Sequence, residues 1–106
     1  MNILDNRIIA ILRDVDAENI ADVINALMDG GIKAIEIPLS HNSPAAKAAS
    51  LRTIQKSHEI FGDQIFLGAG TILSPEEAES AANAGAKYII SPNMAVSYTH
   101  LTLPTN

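Results

Sequence analysis

Four short apolar runs, separated by helical patterns and spaced about 25 residues apart, constrain the fold of this chain most strongly. They cover residues 7–13, 33–39, 63–67 and 87–91. Continuous apolar runs that alternate with helices are typical of a parallel sheet covered by helices. The sequence therefore predicts the order βαβαβαβ, either as a doubly wound open sheet or as part of a (β/α)8 barrel. Four strands cannot close such a barrel, whose usual size is about 200 residues or more.

Local signals place the ends of the three predicted helices. Each helix follows a residue that can cap its N terminus, and the second and third have proline at the first helical position. The predicted caps are Asp16, Ser43 and Ser74, and the predicted ends are Gly30, about His58 and Gly85. Glu77 completes a capping box with Ser74. We expect Gly68-Ala69-Gly70 to form either a tight turn or a close backbone approach to a ligand.

Composition excludes several classes of function. The 106 residues include no cysteine, which is typical of a reducing cytoplasm and leaves no thiolate chemistry. A net charge of −5, with only seven Lys and Arg residues, argues against a nucleic-acid-binding surface. No apolar run approaches the length of a membrane span, and the three histidines lack metal-ligand spacing. The sequence predicts a soluble, acidic, cytoplasmic domain.

Polar residues gather where the predicted strands end. Arg13 ends the first strand, Glu36 lies near the end of the second, Thr71 follows the third, and Ser91-Pro92-Asn93 follows the fourth. The carboxyl ends of parallel strands share one edge, where ligands bind in α/β proteins. A carboxylate inside an apolar strand is either an acid/base group with a tuned pKa or a structural residue paired to a cation. Together these residues favour a site for an anionic small molecule.

Five segments resemble the 2-keto-3-deoxy-6-phosphogluconate aldolases, and especially the 6-phosphogalactonate branch of that family. The match runs in order over about residues 7–94. The segments are 9–13 (Ile-Ala-Ile-Leu-Arg), 30–39 (including Glu-Ile-Pro-Leu), 68–73 (Gly-Ala-Gly-Thr-Ile-Leu), 84–86 (Ala-Gly-Ala) and 90–93 (Ile-Ser-Pro-Asn). The resemblance implies the N-terminal half of a TIM (β/α)8 barrel, from a homotrimeric class I aldolase that needs no metal or cofactor.

The resemblance also implies a reaction and a set of site residues. Such enzymes cleave a 2-keto-3-deoxy-6-phospho-sugar acid to pyruvate and glyceraldehyde 3-phosphate through a lysine Schiff base, and many act on 4-hydroxy-2-oxoglutarate. Glu36 matches the general acid/base. Arg13 and Thr71 match residues that hold the substrate carboxylate, Pro92 matches a pocket residue, and Gly70 belongs to the same site. Ser40 stands where the gluconate branch carries an arginine, so the sugar epimer stays open.

The segment that carries the Schiff-base lysine in this family has no match in the chain. Lys33, Lys47 and Lys87 do not match it, so we expect the 106-residue chain to be inactive by itself. Residues 1–94 are predicted to be a partial barrel domain. Residues 95–106 are predicted to be a foreign or disordered tail, since they resemble translated sequencing-adapter read-through. In such a half-barrel we expect an uncovered inner face and open edges at the first and fourth strands.

Two other classes of function stay open. One is a small α/β module that binds a phosphorylated metabolite. The other is a half-barrel that pairs with a separately encoded C-terminal half. Glu36 discriminates between these classes, because a module that only binds an anion has no use for a carboxylate in its site.

Overall fold

The computed structural model describes residues 8–92 and 95–97, the last three by their backbone alone. Five strands and three helices alternate along the chain until the fourth strand, after which the fifth strand follows directly. The strands are β1 (Ile9–Ile11), β2 (Ala34–Pro38), β3 (Phe66–Gly70), β4 (Tyr88–Ile90) and β5 (Ala95–Ser97); the helices are α1 (Ile20–Asp29), α2 (Pro44–Phe61) and α3 (Pro75–Ala84).

The sheet has the strand order β1-β2-β3-β4-β5, so every strand pairs with its neighbour in sequence. The first four strands are parallel, and β5 runs antiparallel to β4. A doubly wound sheet reverses its strand order and carries helices on both faces, whereas a barrel keeps sequential order with its helices outside. The sequential parallel order confirms the predicted half-barrel architecture.

The main core lies between the sheet and the three helices. It is made of aliphatic side chains from one face of the strands, packed on the apolar faces of the helices; its members include Ile35, Ile37, Leu67, Ala69, Ile89, Ile20, Ile24, Ile54 and Ala81. A second, smaller cluster of Ala34, Phe66 and Tyr88 lies on the opposite face of the sheet, and none of its buried members comes from a helix. All three described helices therefore cover one face, as they do in a barrel.

The predicted caps of α2 and α3 are confirmed. The hydroxyl of Ser43 accepts a hydrogen bond from the Ala46 N–H at 3.0 Å, and that of Ser74 accepts one from the Glu77 N–H at 3.2 Å. Gly85 ends α3 with φ of 118°, the left-handed conformation that glycine adopts without a steric penalty. Helix α2 continues to Phe61, three residues beyond the predicted end.

Two predicted boundaries were wrong. Helix α1 begins at Ile20 with Asn19 as its cap, because Asp16 instead opens a turn in which its carboxylate accepts a hydrogen bond from the Asn19 amide at 2.8 Å. The third strand spans Phe66–Gly70 rather than 63–67, since Gly62–Gln64 forms a 3-10 turn. The glycines that suggested a turn are the last residues of this strand.

The expected bare inner face was wrong for β2 to β4 but not for β1. We call the sheet face opposite the helices, which carries Ala34, Glu36, Phe66, Gly68 and Tyr88, the inner face. Phe66 and Tyr88 are only 2% and 1% exposed, and β5 pairs with the expected open edge of β4. On the β1 side, Ile11 is 57% exposed.

The nature of residues 95–106 stays a prediction, and residues 98–106 lie outside the described part of the chain. Within the described ranges, no helix has both the length and the apolar character that a membrane span requires.

Candidate active site

The strand register brings the predicted site residues to one edge of the sheet. Glu36 pairs in register with Ile11 of β1 and Gly68 of β3, and Gly68 pairs with Tyr88 of β4. Two residues further along, Pro38 pairs with Gly70. We call the edge formed by the carboxyl ends of β1 to β4 the carboxyl rim. Glu36 therefore lies one row below this rim, on the inner face.

Glu36 combines burial with one nearby positive charge. Glu36 is only 7% exposed. Burial raises the pKa of its carboxyl group because a charged carboxylate is poorly solvated there, and the positive charge of Arg13 partly offsets this rise. A carboxyl group whose pKa is raised by burial is typical of an acid/base residue, which favours that interpretation of Glu36.

Two glycines of β3 create the space that the side chains of neighbouring strands occupy. A Cβ atom on Gly70 would overlap the carboxyl group of Glu36, and a Cβ atom on Gly68 would overlap the ring of Tyr88. The sequence predicted that these glycines allow either a turn or the close approach of a ligand. The structure shows instead that they allow the close approach of Glu36 and Tyr88.

Arg13 and Thr71 line one cavity of about 720 Å³ at the carboxyl rim, between the loop after β1 and the first half of α2. The backbone of Thr71 has φ of 54°, a left-handed conformation that is rare for a β-branched residue. Strained residues of this kind cluster at functional sites, where the surrounding structure holds them. Backbone hydrogen bonds hold both neighbours of Thr71. The Gly70 carbonyl oxygen accepts one from the Leu39 N–H, and the Ile72 N–H donates one to the Ile90 carbonyl oxygen.

Pro92 follows β4 at the same edge and is exposed. It is not among the residues that line the rim cavity, so the described structure does not bring it together with Arg13 and Thr71. Asn93, which the sequence placed in the same turn, lies outside the described residues.

A buried carboxylate connects three segments behind the rim. Glu77 accepts hydrogen bonds from the His41 imidazole at 2.9 Å, the Lys47 ammonium at 3.2 Å and the Leu73 N–H at 2.9 Å. Burial raises the pKa of Glu77, but these donors outweigh it and the net pKa is lowered. Glu77 thereby joins the loop after β2 to the loop that carries Thr71. The capping box correctly predicted the bond from the Glu77 N–H to Ser74, but the Glu77 carboxylate accepts from the Leu73 N–H rather than from the Ser74 N–H, and the motif gave no sign of His41 and Lys47.

Lys87 lies directly before β4, at the end of that strand opposite the carboxyl rim. Its ammonium group donates to the carbonyl oxygens of Gly62 and Ile65, both at 3.3 Å, and to the carboxylate of Asp63 at 2.7 Å. These three acceptors fix the start of β4. Lys87 comes one residue before the row of Tyr88, Gly68 and Glu36, but its ammonium group binds the segment that leads into β3, which is a structural role.

Among the residues that the structure describes, no three His, Asp or Glu side chains converge as ligands of a metal ion would. The chemistry that the described site can perform itself rests on one buried carboxyl group, one guanidinium group and the polar groups of the rim.

The model of the aldolase family described as KDPG and KHG aldolase matches residues 2–103. The chain belongs to this family. Among curated proteins, it is 36% identical over 87 residues to the 2-dehydro-3-deoxy-6-phosphogalactonate aldolase of Escherichia coli, which covers 82% of the chain and 40% of that relative. It is 31% identical over 86 residues to the 2-dehydro-3-deoxy-phosphogluconate aldolase of Treponema pallidum, covering 81% and 38%.

Solved structures give the same relationship. A native KDPGal structure is 35% identical, with a TM-score of 0.67 over 81% of this chain and 39% of the other. The KDPG aldolase of Legionella pneumophila, solved with pyruvate as a covalent carbinolamine, is 26% identical, with a TM-score of 0.68 over 82% and 39%. The chain thus spans about 40% of the length of the relatives it matches.

Proposed function

We propose that this chain supplies the acid/base half of a class I aldolase site that cleaves a 2-keto-3-deoxy-6-phospho-sugar acid to pyruvate and glyceraldehyde 3-phosphate. The observation that carries the proposal is Glu36: a buried carboxyl group with a raised pKa, one row below the carboxyl rim of a half-barrel. The similarity to a phosphogalactonate aldolase and to a phosphogluconate aldolase supports the substrate class.

Glu36 acts as the general acid/base. Formation of a Schiff base requires a proton for the departing hydroxyl of the carbinolamine, and formation of the enamine requires movement of protons at neighbouring atoms. Burial raises the pKa of Glu36, which favours the protonated form that a general acid needs. The positive charge of Arg13 opposes this rise in pKa and favours the ionised form that a general base needs.

The rim residues bind the substrate. Arg13 supplies a guanidinium group that matches a carboxylate, and Thr71 supplies a hydroxyl in a fixed left-handed conformation within the same cavity. Gly70 contributes by leaving the place of its side chain to the Glu36 carboxyl. A pocket role for Pro92 rests on the family resemblance alone, since Pro92 follows β4 at the same rim but does not line this cavity.

The Schiff-base lysine is absent from this chain, so the 106 residues alone do not form the covalent intermediate. The electron sink for carbon–carbon cleavage would come from a later strand of the barrel, in a complete enzyme that is a cytoplasmic homotrimer. Treating the 106-residue chain with pyruvate and borohydride, followed by mass spectrometry, should give no pyruvyl adduct. A stoichiometric adduct on any lysine would overturn this part of the proposal.

A chimaeric enzyme tests the proposed role of Glu36. Residues 1–92 of this chain would be joined to the part of the E. coli relative that follows its matched 87 residues. The chimaera should release pyruvate from 2-keto-3-deoxy-6-phosphogalactonate. E36Q should lower kcat by roughly 10²–10⁴-fold, the usual contribution of a general acid/base.

E79Q is the matched control, because Glu79 is an exposed residue of α3. It should leave kcat unchanged. If E36Q retains the activity of E79Q, Glu36 is not the acid/base. If the folded chimaera binds the substrate without cleaving it, the chain is better described as a phospho-metabolite-binding module.

A further inference from the structure

The ring of Tyr88 lies over Gly68, the residue of β3 that pairs in register with Glu36. Glu36, Gly68 and Tyr88 lie in one row across β2, β3 and β4. The Tyr88 ring reaches from β4 over Gly68, which lies on β3, the central strand of this row. Its hydroxyl extends across β3 and donates a hydrogen bond of 3.1 Å to the carbonyl oxygen of Ile35, the residue before Glu36.

The Glu36 carboxyl group does not lie over Gly68, its neighbour in register. It lies over Gly70, two residues nearer to the carboxyl rim. The Phe66 ring packs against the Tyr88 ring, with the two ring centroids 4.7 Å apart. Tyr88 is therefore packed between Phe66 and Glu36 on the inner face, and is 1% exposed.

The protonation state of Tyr88 is that of a residue that fills space rather than one that donates a proton. Burial raises the pKa of its phenol above the ordinary value, and the charge of Glu36 raises it further. The phenol thus stays neutral at physiological pH, and the hydroxyl is engaged by Ile35. Its described hydrogen bond does not go to the Glu36 carboxyl.

We propose that Tyr88 is a positioning residue: by filling the space over Gly68, its ring directs the Glu36 carboxyl group toward the carboxyl rim. The reason for calling Glu36 catalytic rests on the function proposed above, but the geometric claim can be tested without activity. The proposal separates the two parts of Tyr88. The ring does the positioning, and the hydroxyl anchors the ring to β2.

Nuclear magnetic resonance on the 106-residue chain tests this directly. In the wild type, the Hγ protons of Glu36 should show nuclear Overhauser effects to the Hα protons of Gly70 and not to those of Gly68. Y88F keeps the ring and should preserve this pattern. Y88L leaves part of the space empty, so the contacts should shift to Gly68 and the pKa of Glu36 should fall toward its ordinary value as water enters.

A merely structural role for Tyr88 predicts a different result. Y88L would then lower the unfolding temperature while the Glu36 contacts and titration stayed as in the wild type, and this outcome would overturn the proposal. If Y88L does not fold, Y88M provides the same test, because a flexible unbranched side chain fills a core gap without the rigid ring.

The two proposals fail in distinguishable ways. If E36Q does not lower kcat in the chimaera, the function assigned to Glu36 is wrong, even when Y88L redirects its side chain. If E36Q abolishes turnover but Y88L leaves the Glu36 contacts and the pH profile of kcat unchanged, only the role of Tyr88 is wrong.

Discussion

Alanine at Gly68 should destabilise the chain far more than alanine at Gly70, although both glycines lie on the same face of β3. At Gly68 the new Cβ atom would overlap three atoms of the rigid, buried Tyr88 ring. At Gly70 it would overlap the end of the Glu36 side chain, which can rotate away. The two substitutions therefore separate a steric cost in the core from a displacement of the candidate acid/base.

The magnitude for G68A follows from two contributions. Forcing an extra methyl group into a packed core costs about 1–3 kcal/mol. Displacing Tyr88 also breaks its hydrogen bond to Ile35, which contributes about 0.5–1.5 kcal/mol. We expect G68A to lower the free energy of unfolding by about 2–4 kcal/mol, which corresponds to a fall in Tm of roughly 10–25 °C for a domain of this size. G70A should cost less than about 1 kcal/mol.

Gly30 provides the matched control, because its φ of −84° suits any residue and its added Cβ would lie 3.5 Å from the Leu27 carbonyl oxygen, an ordinary contact. G30A should leave stability unchanged or raise it by about 0.4–1 kcal/mol. Urea unfolding followed by circular dichroism, with a shared m-value, measures all three variants. If G68A is as stable as G30A, the packing of Tyr88 over Gly68 is not as described.

Three further substitutions test the electrostatics. Because the pKa of Glu36 is raised on folding, its ionisation removes stability as pH rises through that pKa. E36Q should therefore have a higher Tm than the wild type at pH 7, with no difference below the ordinary Glu pKa of about 4.3. An equal Tm of E36Q and the wild type at both pH values would refute the burial cost. The pKa of Glu77 is lowered, so its contribution to stability is complete above about pH 4.3 and is lost as pH falls through the lowered pKa. E77Q should cost about 1–3 kcal/mol at pH 7 in urea unfolding and much less at pH 3. A cost independent of pH would contradict this. K87M should cost about 1–3 kcal/mol in the same assay, because two carbonyl groups lose their donor, while a change in the Glu36 titration would show that Lys87 acts at the site.

The sequence predicted the architecture because the strands of a parallel sheet are apolar on both faces. Runs such as 33–39 cannot be helical surfaces or exposed strands, and the capping residues Ser43 and Ser74 fix where two helices begin. Arg13, Glu36 and Thr71 could be placed at one edge from chain order alone, since parallel strands end together.

The sequence could not predict how the site is packed. Gly68 and Gly70 indicate only that side chains are absent, and whether a turn, a ligand or a neighbouring side chain uses the space depends on strands β2 and β4. Tyr88 was the available signal, because it is a large aromatic residue in an otherwise aliphatic run. The contact of Glu77 with His41, 36 residues away, depends on the packing of α2 and α3, which no local pattern records.

The titration of Glu36 decides between the acid/base and the structural interpretation of this residue. Carbon-detected magnetic resonance of the 106-residue chain gives the pKa of this side-chain carboxyl group. We expect a pKa above the ordinary Glu value of about 4.3, and a further rise in R13Q, because the guanidinium of Arg13 lowers it in the wild type. A pKa at or below the ordinary value, unchanged by R13Q, would mean that Glu36 is a solvated or ion-paired structural residue and that this half-barrel does not carry the acid/base group.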